Sequence, residues 1–180
     1  MLIRREQSLL LVVDIQEKLA PAILEADVVV ANTVRLLSAA RLLGVPALVS
    51  EQYVRGLGSS VAEIRNVAVD TQIFEKMHFG CAGEPDFVPR LSATGRQQIL
   101  LAGMESHICV LQTGLGLLEA GFDVFLVADA SSSRTLANRS AASDRLRSCG
   151  GQIVTTEMVL FEWLEKAGTD HFRAMLPLIK

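Results

Sequence analysis

The chain has 180 residues, 50% of them hydrophobic and only 5% aromatic, and 17 basic against 20 acidic residues give a formal net charge of −3. That length supports one substantial core and not two, so residues 1–180 read as a single domain. The mild, interspersed charge gives no electrostatic footprint for nucleic acid or an anionic membrane surface, and no apolar run reaches membrane-spanning length, which leaves small molecules as the expected ligands.

Three cysteines, Cys81, Cys109 and Cys149, are odd in number and unevenly spaced. They do not resemble a disulfide framework and suit a reducing compartment; Met1 leads straight into a strand without a signal-peptide layout, so the expected location is the cytoplasm.

Residues 8–13 form an apolar run ending at Asp14, which reads as a central buried strand with a carboxylate at its carboxyl end. Residues 27–43 carry helical spacing and stop at Gly44, and residues 46–50 make a second strand. The polar stretch 51–60, with Gly56 and Gly58, reads as a loop and a candidate pocket wall. A third strand over 71–75 leads to Lys76 and a turn-rich passage, followed by a short helix over 87–94. Strand four (98–102) turns into a helix over 107–120, strand five spans 122–128 and ends at Asp129, and a helix covers 140–149. Strand six (152–155) and helices over 156–166 and 169–176 complete the chain. Six apolar strands alternating with helices imply parallel pairing through right-handed crossovers. The predicted fold class is therefore α/β, a three-layer αβα, doubly wound, Rossmann-like six-stranded parallel sheet.

Asp14, Lys76 and Cys109 all fall at or just beyond the carboxyl end of a predicted strand, the edge where such sheets place their chemistry. Ser106 is a good N-cap residue, which puts Cys109 in the first helical turn, where unpaired N–H groups make a thiol more acidic than a free one. On position alone Cys109 is equally a small buried residue filling a helix-sheet contact. Asp14 is able to take a thiol proton and deliver it to a leaving amine, while Lys76 holds carboxylate and thiolate electrostatically. Taken singly, a strand-end aspartate caps a turn and a lysine is solvated surface.

These residues carry a resemblance to the isochorismatase-like cysteine hydrolase family over nearly the whole chain. Leu11-Val-Val-Asp-Ile-Gln16 resembles its first-strand motif, Glu75-Lys76-Met-His-Phe79 its lysine motif, and Gly103-Met-Glu-Ser-His-Ile-Cys-Val110 its nucleophile motif. Gly121-Phe-Asp-Val-Phe-Leu-Val-Ala-Asp-Ala130 and Ser131-Ser-Ser-Arg134 continue it. The resemblance implies Asp14 as general acid/base, Lys76 as electrostatic partner and Cys109 as nucleophile. It also implies a cis peptide between Met104 and Glu105, with backbone N–H groups of Glu105 and Cys109 forming the oxyanion hole. The implied reaction is cleavage of a small amide at its C–N bond through a thioester. The nicotinamidase branch binds a metal after the second strand; Glu51-Gln52-Tyr53 stands at that place here, so neither a catalytic metal nor a cofactor is expected. Those residues resemble a branch with mostly unassigned substrates.

Gln16, Gln52, Tyr53, His78, Phe79 and Ser106 flank the three catalytic candidates and are expected to shape the substrate pocket, with Gln16 orienting Asp14 in the favoured reading and bonding a loop backbone in the other. His107, two residues from Cys109 on one helix, does not face it and fits a surface or interface role. His78 and Cys81 have a spacing that serves zinc only with further ligands. Met158, Leu160, Phe161, Trp163 and Leu164 are apolar around more than one helix face, which with the family resemblance predicts a homo-oligomer.

Two other readings compete: a catalytically silent scaffold that binds a metabolite or partner, and ether hydrolysis of the isochorismatase type, which makes less use of a nucleophilic cysteine. A dinucleotide site is rejected because Asp14-Ile-Gln-Glu-Lys18 replaces the glycine-rich turn that pyrophosphate needs.

Overall fold

In the structure, a computed structural model that describes residues 1–69 and 71–179, six strands form one parallel sheet. They are β1 (Ser8–Val13), β2 (Ala47–Gln52), β3 (Gln72–Lys76), β4 (Gln98–Met104), β5 (Asp123–Ser132) and β6 (Gln152–Val154), in the spatial order β3-β2-β1-β4-β5-β6. Every residue of β1 and β4 is buried, because both faces of these central strands are covered; this is why they read as unbroken apolar runs. The chain leaves β1 toward β2 on one side and returns to place β4 on the other. The carboxyl ends of β1 and β4 thus flank the switch point where doubly wound sheets open a crevice.

Successive strand residues point to opposite faces. Leu10, Val12, Leu100 and Phe125 pack under α1 (Ala26–Leu43), α7 (Thr156–Leu164) and α8 (Asp170–Ile179). Leu9, Leu11, Ile99 and Leu101 meet residues of α4 (Phe87–Ala93), α5 (Leu111–Glu119) and α6 (Leu136–Ser148) on the other face. α1 stops where the sequence predicts, at Gly44, whose φ of 70° lets its N–H reach back to Ala40 and Arg41. The only tryptophan of the chain, Trp163, is fully buried under the start of β1, and its indole donates to Ser8 Oγ at 3.0 Å.

Several expected boundaries move. β2 continues through Glu51 and Gln52 because these pair with Glu75 and Lys76, which brings Lys76 inside β3 rather than beyond it. The expected loop over 51–60 holds a helical turn, α2 (Val54–Leu57), and is followed by α3 (Ala62–Val67). β5 runs past Asp129 to Ser132, since a register shift between Leu101 and Gly103 lets the strand resume pairing with the end of β4. α6 begins at Leu136, not at residue 140, because the Thr135 hydroxyl accepts from Asn138 N and caps it earlier. Met158 and Phe161 on α7 are exposed, while Leu160, Trp163 and Leu164 are core.

Candidate active site

Asp14 is the first residue after β1, held at φ 54° with its N–H on the Ser50 carbonyl at 3.1 Å. Its carboxylate is fully buried. Ser50 Oγ donates to Oδ1 at 2.7 Å, and Lys76 Nζ donates to Oδ2 at 2.7 Å. Lys76 reaches Asp14 across the end of β2, and its ammonium also meets Gln52 Oε1 at 2.6 Å, the Phe79 carbonyl at 2.9 Å and, more weakly, the His78 carbonyl at 3.3 Å. An ammonium has three protons, so these acceptors leave it none to spare. A buried cation with every proton engaged is fixed in place, and so is the carboxylate it holds.

Cys109 enters from the other side of the switch point. After β4 the Met104–Glu105 peptide is cis, as the family resemblance implies. The next residues form a wide helical turn, Ser106–Val110, in which the Glu105 carbonyl accepts from both Ile108 N at 3.1 Å and Val110 N at 3.2 Å. Ser106 therefore does not cap the helix as its type suggests. Glu105 occupies that position, and Ser106 Oγ is buried with no hydrogen-bond partner among the described residues. The expected acidic thiol is also corrected. Burial pushes the Cys109 thiol up, the neighbouring Asp14 carboxylate adds to it, and Lys76 only partly opposes. Resting Cys109 is a neutral thiol beside a base.

Cys109 lines a cavity of about 330 Å³ together with Gln52, Phe79, Glu105 and Arg134, and Leu19, Leu57 and Ile108 supply apolar walls. Gln52 and Phe79 are thus where the sequence expects them. The other expected pocket residues are not. Gln16 accepts from Gln52 N at 2.8 Å and donates to the carbonyls of Gln52 and Gly58 at 3.0 and 2.6 Å, so it clamps the end of β2 to the following loop and leaves the orienting of Asp14 to Ser50. The Tyr53 ring lies over Gly56, leaving it half exposed outside the cavity. His78 turns to Glu84 Oε1 at 3.0 Å and faces a separate hollow, whereas Cys81 is buried with its N–H on Thr113 Oγ1. The structure does not bring these two together. His107 sits against Ser133 Oγ at 3.0 Å.

Arg134 is the lining residue the residue-by-residue reading missed: its Nε and its backbone N–H both meet Glu105 Oε2, at 3.0 and 3.2 Å. The available signal was its position just beyond strand five, next to the strand that leads to Cys109. A larger apolar groove of about 780 Å³ lies between α1 and α3. We give it no part in the chemistry, because no nucleophile lines it.

The family model of the isochorismatase domain matches residues 8–158. The chain belongs to the isochorismatase family. Among members of this family, the secreted isochorismatase effector Isc1 of Phytophthora sojae is 40% identical over 178 residues, covering 96% of this chain and 84% of that protein. The solved MAR1 ribonuclease of Caenorhabditis elegans superposes with a TM-score of 0.93 at 34% identity, over 99% of this chain and 92% of that one. The YcaC gene product of Escherichia coli, an octameric hydrolase of unknown specificity, superposes with a TM-score of 0.92 at 26% identity, over 99% and 90%. The isochorismatase-family fold thus places this chain among hydrolases. Among the described residues no helix is long and apolar enough to cross a membrane, and no three His, Cys, Asp or Glu side chains cluster as a metal site.

Proposed function

We propose that this isochorismatase-family chain hydrolyses the C–N bond of a small amide, with Cys109 as nucleophile, Asp14 as general acid/base and Lys76 as electrostatic partner. The observation that carries the reading is a thiol at the wall of a small cavity, with a buried carboxylate fixed by a lysine beside it.

The raised thiol sets the order of events. Asp14 takes the Cys109 proton as sulfur attacks the substrate carbonyl, so the thiolate forms only in the reacting complex. The oxyanion that develops is received by the backbone N–H groups of Glu105 and Cys109; the Glu105 N–H makes no backbone hydrogen bond among the described residues. Asp14 then gives the proton to nitrogen, the C–N bond breaks and the amine leaves a thioester. Water surrenders a proton to Asp14, its oxygen attacks the thioester, the C–S bond breaks, and the proton returns to sulfur as the acid departs. Lys76 keeps Asp14 oriented throughout and balances the negative charge shared by carboxylate and thiolate.

We also place the protein in the cytoplasm as a homo-oligomer, on the three free cysteines, the exposed Met158 and Phe161, and the octameric E. coli relative.

One observation favours the silent scaffold instead, since a buried, neutral thiol is also what an inert cysteine looks like. The test is acid and ammonia release from a panel of small primary amides, with intact-protein mass to find an acyl group on Cys109. RNA serves as a control substrate, because the C. elegans relative is called a ribonuclease while this chain, at net charge −3, has no polyanion footprint. Turnover is expected to vanish in Cys109→Ala and to fall by roughly 10²–10⁴ in Asp14→Asn. Absence of turnover on every amide, with Cys109 alkylated by iodoacetamide no faster than exposed Cys149, selects the scaffold.

A further inference from the structure

Glu105 carries one carboxylate oxygen that the fold leaves unspent. The residue is only 5% exposed, and most of its acceptors are taken. Its carbonyl accepts from Ile108 N and Val110 N, and its Oε2 accepts from the Nε and the backbone N–H of Arg134. His107 Nδ1 stands 4.0 Å from the same Oε2 and is spent on Ser133 Oγ at 3.0 Å. Among the described residues Oε1 has neither a hydrogen-bond nor an ion-pair partner. It is not sealed in the core either, since the fully buried side-chain oxygens without a partner are the hydroxyls of Ser60, Ser106, Ser131 and Ser132. Oε1 therefore opens toward the cavity that Glu105 lines beside Cys109. An acceptor so placed, in a residue otherwise withdrawn from water, is matched by a donor on whatever fills the cavity.

The order of the strands decides which part of a substrate this oxygen meets. β4, which leads to Cys109, lies between β1 and β5. Asp14 follows β1, whereas Arg134, which holds the Glu105 carboxylate, follows β5. The two carboxylates thus flank the nucleophile from opposite sides. With the scissile carbonyl at Cys109 Sγ and the leaving nitrogen turned to Asp14, the acyl substituent points toward Glu105 and the apolar walls of Leu19, Leu57, Phe79 and Ile108. Charge narrows the matching donor further. The Arg134 guanidinium, 3.0 Å from Oε2, already pairs with Glu105, and Lys76 pairs with Asp14, so a substrate ammonium finds no net negative charge and a cation close by. A hydroxyl brings one proton for the one free oxygen and stays neutral.

We infer that Glu105 Oε1 accepts a hydrogen bond from a hydroxyl on the acyl part of the substrate, so that the amide cleaved at Cys109 is a short hydroxy-amide. The carboxylate is held through its other oxygen by two N–H groups and through its own backbone by the turn, so binding needs no rearrangement of it. A cavity of about 330 Å³ is at the small end of ligand sites, which keeps the hydroxyl close to the scissile carbonyl. This inference rests on the cysteine-hydrolase reading and specifies its substrate class.

Activated esters test it without a known amide. The para-nitrophenyl esters of glycolate and propionate differ by a hydroxyl in place of a methyl, and those of β-hydroxypropionate and butyrate form a second such pair. In each, sulfur bonds to the acyl carbon, the C–O bond breaks, nitrophenolate leaves and the thiol proton passes to Asp14. The readout is the hydroxylated-to-alkyl ratio of the nitrophenolate release rates that Cys109→Ala abolishes, divided by the same ratio for N-acetylcysteine in solution. Intact-protein mass confirms the acyl group. In the parent protein at least one pair is expected to give a corrected ratio of about tenfold or more, the scale of a hydrogen bond to a charged acceptor. Glu105→Gln should bring it near unity, and Glu105→Asp, which keeps the charge but withdraws it by one methylene, should fall between. A Glu105 that only holds Arg134 and the turn would slow both esters of a pair alike and leave the ratio unmoved. Circular dichroism checks that each variant is folded, and Glu105→Asp carries the comparison if Glu105→Gln is not. Acylation of Cys109 with a parent ratio near unity in both pairs, or with a preference that survives substitution of Glu105, overturns the hydroxyl site and leaves the hydrolase reading standing. If no ester acylates Cys109 in the parent protein, the hydrolase reading falls and the hydroxyl inference with it.

Discussion

Substituting Gly103 by alanine is expected to damage both stability and the site, and the structure gives the size of the effect. Gly103 lies on β4 opposite Val13 of β1, at φ 141°, and a Cβ built there would stand 2.0 Å from the Val13 carbonyl oxygen and 2.8 Å from Val13 N and C. Those are backbone atoms of a central strand, so no side-chain rotation relieves the clash. The unfavourable φ costs about 1–3 kcal/mol and the overpacking about as much again, for a total of about 4 kcal/mol. Gly44 provides the control. Its φ is 70° but nothing lies within 4 Å of a built Cβ, so Gly44→Ala should cost only about 1–2 kcal/mol, the backbone term alone. With a urea m-value of about 2 kcal/mol per M, Gly103→Ala shifts the unfolding midpoint by about 2 M and Gly44→Ala by less than about 1 M. Because Val13 is joined directly to Asp14, any Gly103→Ala protein that folds should also alkylate Cys109 more slowly than the parent. A midpoint for Gly103→Ala equal to that of Gly44→Ala, with unchanged Cys109 labelling, would refute the reasoning.

The buried Cys81 thiol, raised from 9.0 to about 11 mainly by burial, makes stability fall in alkali. Above pH 9 the unfolded chain loses this proton while the folded chain keeps it, so between pH 9 and 11 folding loses about 3 kcal/mol from Cys81 alone, with Cys109 acting in the same direction. Urea midpoints at several pH values should show this slope, and a Cys81→Ala protein should show a shallower one. Ser50→Ala removes a buried donor from the Asp14 carboxylate and should cost about 1.5–3 kcal/mol. It should also slow amide turnover by misdirecting Asp14, and an unchanged rate and midpoint would return the orienting role to Gln16.

The parts of this molecule that reveal themselves in sequence are those enforced by burial. Ser8–Val13 reads as a central strand because covering both faces demands an unbroken apolar run, and Gly44 reads as a helix stop because few other residues adopt its backbone angles. The side chains whose roles depend on what lies across the sheet do not show themselves this way. Ser50 and Gln16 are both polar residues near strand ends, and only the β1–β2 register decides that Ser50 meets Asp14 while Gln16 clamps the Gln52 backbone. Ser106 has the chemistry of a cap, yet the turn after β4 is wider than an ordinary helical start and strands its hydroxyl. The acidity expected of Cys109 follows from the helix end, whereas burial, and after it the carboxylate that the fold places beside the thiol, act the other way. Arg134 is separated from Cys109 by 25 positions, and β5 had to run four residues beyond its apolar stretch to bring it there.

Trp163 offers an experimental separation that follows from where it sits. Its indole is bonded to Ser8, at the amino end of β1, whereas the cavity opens past Val13, about 17 Å farther along the strand. Its emission therefore monitors the integrity of the sheet and is deaf to what occupies the cavity. Fluorescence-detected unfolding with and without a candidate substrate analogue then measures binding purely through the stability it adds, with no optical signal from the ligand site to subtract.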